Sequence, residues 1–498
     1  MQQQNEKPSP NAPATQPLTL GEAIIPIASL VLLVALSYFL FGDAGAKGPN
    51  QVALVVATMV ALAVAKRRGH SLKALGEAAV ASVSSGIYAI FILFAVGALV
   101  GTWAMSGTIV AMVYYGLHLL SPNYFYLTAA VICAIVSLSI GSSWTVAGTI
   151  GIGLMGIAQN MGLTPAIAAG AVISGAYFGD KSSPLSDSAN LSAAASGAEL
   201  YAHIRETLLT SFITIVFVAG VFYLLGRPGD FDASAKMAAM NDAFHISPVL
   251  FLPLVLVVLM ALFRVPAFTT IFLGAIAGGV VAAVVAPQRV IAFANADGGN
   301  VAAPLAIVKG IWLALASGYQ SSTGRADLDL LVTRGGMENM LSTIWLIITA
   351  LGFGGVVEKA GVLDRLITPI IDKAKSGGAL VASLVASIFA TNVITADQYM
   401  AIVLPGRMFK TAFQRRGYAP VVLSRAVGDT ATPTSALVPW NSCGAYMAAT
   451  LGVATWSYAP FAVFSYLSPL VTVAVAYAGI RMLRTAPASG PAADRSAG

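Results

Sequence analysis

The residues best able to do chemistry are a few acids stranded in apolar sequence. The run Gly179-Asp180-Lys181-Ser182-Ser183-Pro184-Leu185-Ser186-Asp187-Ser188-Ala189-Asn190 lies between the apolar stretches 165–178 and 191–199. A charge at bilayer depth costs about 2.5–3.5 kcal/mol, so Asp180, Lys181 and Asp187 must face protein, water or a bound ion. Pro184 removes a backbone donor and unwinds the helix. The freed carbonyls, with Ser, Asn and Asp oxygens, suit a hard cation. A second run carries Asp429, Thr432, Ser435 and Asn441, broken by Pro433 and Pro439. Arg425 stands four residues before Asp429, so these two can pair on one helical face and make Asp429 an ion-pair partner instead of a ligand. Two polar tips complete the set: Gly141-Ser142-Ser143-Trp144-Thr145 and Thr391-Asn392-Val393-Ile394-Thr395-Ala396-Asp397-Gln398. Asp397 has no basic neighbour within four residues, which suits a group that trades a proton for a metal ion. We expect a hard cation at Asp180, Asp187 and Asp397, with Asn190, Ser143, Thr145, Asn392 and Thr395 supplying neutral oxygens. Asp429, Thr432 and Asn441 form the matching second site. Lys181 and Arg425 either balance charge or bind an organic carboxylate.

Enzyme signatures are missing. No Gly-rich phosphate loop ends in Lys-Ser/Thr, and the four histidines are scattered without ligand spacing. His203 is expected at a cytoplasmic helix end beside Arg205. No cofactor is implied, and the energy source is expected to be an ion gradient. Cys133 and Cys443 sit far apart in apolar segments and read as reduced, buried thiols.

The elements that must position these residues are membrane helices. Apolar residues make up 57% of the 498 positions and charged residues 10%, against about 25% charged in soluble chains. The net charge of +6 comes without a basic patch interleaved with aromatics, so it is topology information and not a sign of nucleic acid. Apolar stretches of spanning length cover 24–41, 50–65, 87–105, 207–225, 247–263, 267–286, 341–357 and 458–480. Stretches 165–199 and 418–450 are broken spans, and 124–157 and 378–406 read as re-entrant hairpins. The fold class is an all-α integral membrane protein of about ten transmembrane helices plus two hairpins. With both termini in the cytoplasm, cytoplasmic loops collect Lys66, Arg67, Arg68 and Lys73, then Lys359, Arg365, Lys373 and Lys375, then Arg407, Lys410, Arg415 and Arg416. The short external loops 106–123 and 451–457 hold no Lys or Arg, as the positive-inside bias requires. The expected units are a disordered tail 1–23, a first repeat 24–225, an external loop 226–246, a second repeat 247–480 and a tail 481–498. The long segment 287–340 is expected to include an amphipathic stretch on the membrane surface. Small residues at Gly274, Gly278 and Gly279 permit close packing, within one chain or in a homodimer.

An internal duplication is legible. Gly101 and Gly107 match Gly355 and Gly361 at one offset. Ile150–Gly156 lines up with Met400–Gly406, which lays Thr145 on Thr395. Gly179-Asp180-x-x-Ser183-Pro184 recurs as Gly428-Asp429-x-x-Thr432-Pro433. Loop 157–164 is uncharged whereas 407–417 carries four positive charges, so equivalent loops belong on opposite faces. Inverted repeats with broken helices are a common secondary-transporter design.

Four strings carry a family resemblance: Tyr177–Leu191, Thr395–Lys410, Leu437–Met447 and Gly141–Thr149. The strings run along the chain in family order, and the chain resembles NhaC-type sodium/proton antiporters over about residues 24–480. The resemblance implies a multi-pass carrier of the bacterial inner membrane, related to the ion transporter superfamily, in which paired hairpins and broken helices hold the substrate. It implies exchange of Na+ for H+ by alternating access, with Na+ at Asp180, Asp187 and Asp397 and no cofactor beyond the transported Na+ and H+. It also admits a sodium-coupled exchanger of lactate, malate or amino acids.

Overall fold

A computed structural model describes residues 16–226, 234–296, 298 and 301–485. Residues 1–15 and 486–498, within the expected tails, lie outside the described residues, as does 227–233 of the expected external loop. Among the described residues the chain is helical throughout, with two isolated β-bridges and no strand. Among the described residues seven helices are long and apolar enough to cross a bilayer, or nine if two bent pairs each count as one span. The bent pairs are Met237–Phe244 with Pro248–Leu262 at 87°, and Thr455–Phe461 with Val463–Tyr477 at 51°. Side-chain distribution inverts that of a soluble protein. Leu32, Phe39, Phe212, Phe217, Leu224 and Val284 are exposed while Asp180, Lys181, Arg425 and Asp429 are buried. A bilayer is the solvent that tolerates this pattern.

The first span starts earlier than its apolar run suggests. It covers Leu20–Phe41 because Thr19 and Glu22 form a capping box, and Glu22 is held by Arg68 at 2.6 Å. Capping therefore adds four residues that the expected boundary at 24 assigned to the tail. The segment 287–340 folds into Pro287–Ala294, Ala303–Ala316 and Ala326–Val332. Helix Ala303–Ala316 packs on Ile87–Ser106. The contact is backbone to backbone: a Cβ at Gly101 would lie 2.1 Å from the carbonyl oxygen of Ala314. The small-residue stripe is used inside the chain. Gly274 meets Val257 and Leu99, Gly278 meets Trp103, Gly279 meets Ile311, and Trp103 Nε1 donates to the Gly274 carbonyl at 3.1 Å.

Both hairpins and both broken helices form. The first hairpin is Phe125–Ile140 followed by a second arm from Ser143 to Asn160, with a π-turn at Ala147–Gly151. The second is Gly377–Thr395 followed by Gln398–Arg415. Gly377–Thr395 is itself long and apolar enough to span. The broken helices are Pro165–Ser182 with Asp187–Ser196, and Pro420–Ser435 with Ser442–Leu451. Each starts with proline at its first turn, where the missing N–H costs nothing. The second half of each ends at a left-handed glycine, Gly197 and Gly452, which relieves the carbonyls of the last turn.

These ends correct the register of the repeat. Ser143 and Gln398, Pro165 and Pro420, Asp187 and Ser442, and Gly197 and Gly452 all stand 255 positions apart. The Gly107/Gly361 match holds within one residue of this register. Both glycines are left-handed and open helices of 12 residues. The other two matches do not hold. Asp180 corresponds to Ser435 and Asp429 to Ser174, and Thr145 corresponds to Met400. Hydrogen bonds agree: Ser137 Oγ donates to the Ala176 carbonyl at 2.6 Å, and Asn392 Nδ2 donates to the Ala431 carbonyl at 2.9 Å, both partners displaced by the same 255.

Candidate functional site

The site is built from two helix breaks meeting two hairpin tips. In the first half, Gly141 ends the first hairpin arm at φ +77°, and a Cβ there would come within 2.7 Å of the Leu185 backbone. Only glycine allows this conformation and this contact together. Ser142 caps the next arm, accepting from Thr145 N at 3.2 Å. Ser143 then faces Asp180: its N–H and Oγ donate to Asp180 Oδ2 at 3.1 and 2.6 Å. From the other side of the break, Ser186 and Ser188 Oγ donate to Asp180 Oδ1 at 2.5 and 3.2 Å. Four donors on one buried carboxyl fill much of its acceptor capacity. The same hydroxyls keep lone pairs free, so the cluster can turn oxygens toward a cation.

The second half repeats this arrangement with donor and acceptor exchanged. Gln398, the counterpart of Ser143, accepts from Ser435 Oγ, the counterpart of Asp180, at 3.1 Å. It also accepts from Cys443 Sγ at 3.1 Å. Ala396 takes the left-handed conformation of Gly141, and Asp397 caps the following arm in the place of Ser142, accepting from Met400 N at 2.8 Å. The pseudo-symmetric site is thus chemically lopsided. One half offers Asp180 and Asp187, and the other offers Asp397 with neutral amide, hydroxyl and thiol groups.

Both halves open on one cavity of about 720 Å³. Asp180, Asp187 and Asp397 all line it, as do Thr145, Asn190, Ser142, Ser188, Gln398, Tyr399, Ser442 and Cys443. Trp144 and Tyr446 stack 4.1 Å apart across the two halves, and Tyr446 Oη donates to the Trp144 carbonyl at 2.7 Å. Among the described residues no three acidic, His or Cys side chains gather closely enough to share one metal ion. The three carboxylates therefore share a cavity without meeting at one point. Asn190 turns its amide back to the Ser186 carbonyl at 2.8 Å.

The remaining expected residues lie elsewhere. Asn392 and Asn441 bind each other and the second broken helix, with Asn441 Nδ2 donating to Asn392 Oδ1 at 3.1 Å and Asn392 Nδ2 donating to Thr434 Oγ1 at 3.0 Å. Thr395 Oγ1 donates to its own helix at Thr391. Asp429 is held by Lys181 Nζ and Thr472 Oγ1, and Lys181 also reaches Ser468 at 3.0 Å. Lys181 thus closes a buried ion pair between the two broken helices, facing away from the cavity that its neighbour Asp180 lines. Arg425 instead faces Glu206, 3.7 Å away. The expected Arg425–Asp429 pair is displaced because Lys181, from 248 positions away, takes the carboxylate. Thr432 is buried with Oγ1 unpartnered among the described residues. His203 lies in the first turn of Leu200–Leu224, and it is buried there, meeting Ser424 Oγ at 2.7 Å. Both cysteines are free and buried.

Sequence reasoning missed Ser186, Ser188, Gln398, Ser442, Cys443 and Arg264. The serines and Gln398 sit beside residues it singled out, and polarity at the break was their signal. Arg264 had one too, as the lone charged residue between two apolar helices.

Comparison with known proteins gives the lineage. The model of the Na+/H+ antiporter family matches residues 175–480. A protein of Alkalihalophilus pseudofirmus named Na(+)/H(+) antiporter NhaC is 35% identical over 93% of this chain and 96% of its own. A Bacillus subtilis protein named malate-2H(+)/Na(+)-lactate antiporter is 34% identical over 93% of this chain and 95% of its own. A Halobacterium salinarum protein named arginine/ornithine antiporter ArcD is 31% identical over 95% of both chains. The chain is a multi-span membrane protein and belongs to the Na+/H+ antiporter family.

Proposed function

We propose that this chain is a secondary transporter that exchanges Na+ for H+ through the cavity between its two halves, in the bacterial inner membrane. The observation that carries the reading is the convergence of Asp180, Asp187 and Asp397 on that cavity. Na+ binds at Asp180, where Ser143, Ser186 and Ser188 rotate from donating to the carboxylate to presenting oxygens to the ion. Asp397 takes its backbone hydrogen bond through Oδ1, and its other oxygen exchanges a proton. Asp187, at the first turn of its half-helix, draws cations inward. Na+ and protons compete for these carboxylates. The empty site is costly to move through a low-dielectric barrier, whereas the loaded one is not. That asymmetry couples the two fluxes.

Alternating access follows from one hairpin and its broken helix rocking against the rest. The cavity lining includes Ser85, Gly86, Tyr201 and Arg264, at helix ends that the positive-inside bias assigns to the cytoplasmic side. The cavity therefore opens inward, with both termini cytoplasmic. The relatives named for lactate, malate, arginine and ornithine support a second reading, exchange of an organic solute through the same cavity.

The test uses purified protein in liposomes with a trapped pH dye. NaCl added against a preset pH gradient moves protons in protein-containing vesicles, and KCl does not. No Na+-dependent proton movement, at any pH from 6 to 9, would reject the proposal.

A further inference from the structure

A cavity of about 720 Å³ is far larger than a cation needs. It has room for about two dozen waters at 30 Å³ each, and it falls in the 300–1,000 Å³ range of small-molecule sites. Its lining is polarised. Asp180, Asp187 and Asp397 supply negative charge, and Arg264 is the one Lys or Arg in the lining. Aromatic walls come from Tyr88, Trp144, Tyr201 and Tyr399.

Arg264 is placed with some force. It sits between Leu252–Leu262 and Ala267–Val285 and is the only Asp, Glu, Lys or Arg from 246 to 288. Its φ is +62°, in the left-handed region that favours glycine. Among the described residues its guanidinium has no ion-pair or hydrogen-bond partner. A strained backbone that presents an unpaired guanidinium to a cavity is the kind of outlier from which function is inferred. The guanidinium fork matches a carboxylate in bidentate geometry.

We infer that Arg264 anchors the carboxylate of a small organic solute carried in this cavity, with a cation at the aspartate side. The cation is Na+ or the solute's own ammonium. A bare organic anion would meet three carboxylates and be repelled, so it enters only with a positive partner. An amino acid brings its own. This inference rests on transport through the cavity described above and names the solute and the residue that selects it.

The test compares wild type with Arg264→Gln and Arg264→Lys in liposomes, using labelled L-lactate and L-ornithine as probes. Wild type takes up lactate in a Na+-dependent manner, or ornithine without Na+; which one it takes tells the source of the cation. Arg264→Gln raises the KM for the transported probe at least tenfold, and Arg264→Lys recovers only part of it. Arg264 is exposed, so the variants fold, which a thermal melt verifies. Failure of wild type to take up or bind either probe overturns the inference, as does an unchanged KM in Arg264→Gln. Solute uptake without any NaCl-driven proton signal would reject sodium/proton exchange and leave Arg264's role standing, so the two claims fail separately.

Discussion

Lys181 and Asp429 are 1% and 0% exposed and pair across the two broken helices. Removing one partner from a buried pair leaves an uncompensated charge and costs about 3–5 kcal/mol. Lys181→Met leaves Asp429 with Thr472 alone, and Asp429→Asn leaves Lys181 with Ser468. With an unfolding entropy of about 2.1 cal/mol/K per residue, a chain this long changes by roughly 1 kcal/mol per degree. Each single variant should therefore melt about 3–5 °C lower. The double variant removes both charges and should recover most of that loss, since replacing a whole buried pair is often neutral. Cys133 and Cys443 are free and buried, so a thiol-reactive dye follows unfolding in detergent without added labels. Single variants that melt with wild type, or a double variant no better than the worse single, would refute the assignment of this pair as the brace between the halves.

Three further outcomes follow from the same geometry. Ser186→Ala removes the hydroxyl that sits 2.5 Å from Asp180 and that turns its oxygen toward the bound ion; without that ligand the KM for Na+ in liposomes should rise, and an unchanged KM would remove Ser186 from the site. Gly141→Ala meets the Leu185 backbone at 2.7 Å and a φ of +77°, so it should lower both the melting temperature and the exchange rate, which a normally stable and active variant would contradict. Outside the spans, Ser321, Thr323 and Gly324 donors hold the Asp329 carboxyl below the usual carboxylate range. A depressed folded value stabilises the 319–333 loop above the unfolded pKa and is lost as pH falls through the folded one. Protection from hydrogen exchange in that loop, taken relative to the intrinsic rate at each pH, should fall on acidification below about pH 4, and Asp329→Asn should flatten the fall.

Much of this architecture was legible because proline, glycine and polar runs interrupt apolar sequence for physical reasons. Pro184 and Pro439 marked the breaks, and Asp180, Asp187 and Asp397 were readable as acids that lipid cannot solvate. The register was not legible. Gly-Asp-x-x-Ser/Thr-Pro recurs in both halves, but Asp180 ends a half-helix at the cavity whereas Asp429 sits two turns earlier against Lys181. The true correspondence places Ser142 against Asp397 and Asp180 against Ser435, pairs with no chemical identity to find. What carries it is structural: proline at a first turn and glycine at a last one. Lys181 shows a second limit. Adjacent to Asp180 in sequence, it is turned about 100° from it round the helix, and its partner lies 248 positions along. Asn392 and Asn441 show a third, since an amide near a helix break serves equally to hold backbone or to hold an ion.

The central claim is that Na+ and protons are exchanged at the carboxylates of the cavity and not at the buried pair beside it. Labelled Na+ uptake driven by an outward proton gradient, in liposomes holding equal amounts of folded Asp180→Asn, Asp397→Asn or Thr432→Val, tests it most directly. The account predicts loss of uptake in both aspartate variants and wild-type uptake in Thr432→Val, whose side chain is buried away from the cavity. Wild-type uptake in either aspartate variant would remove that residue from the transport site, and in both would contradict the account.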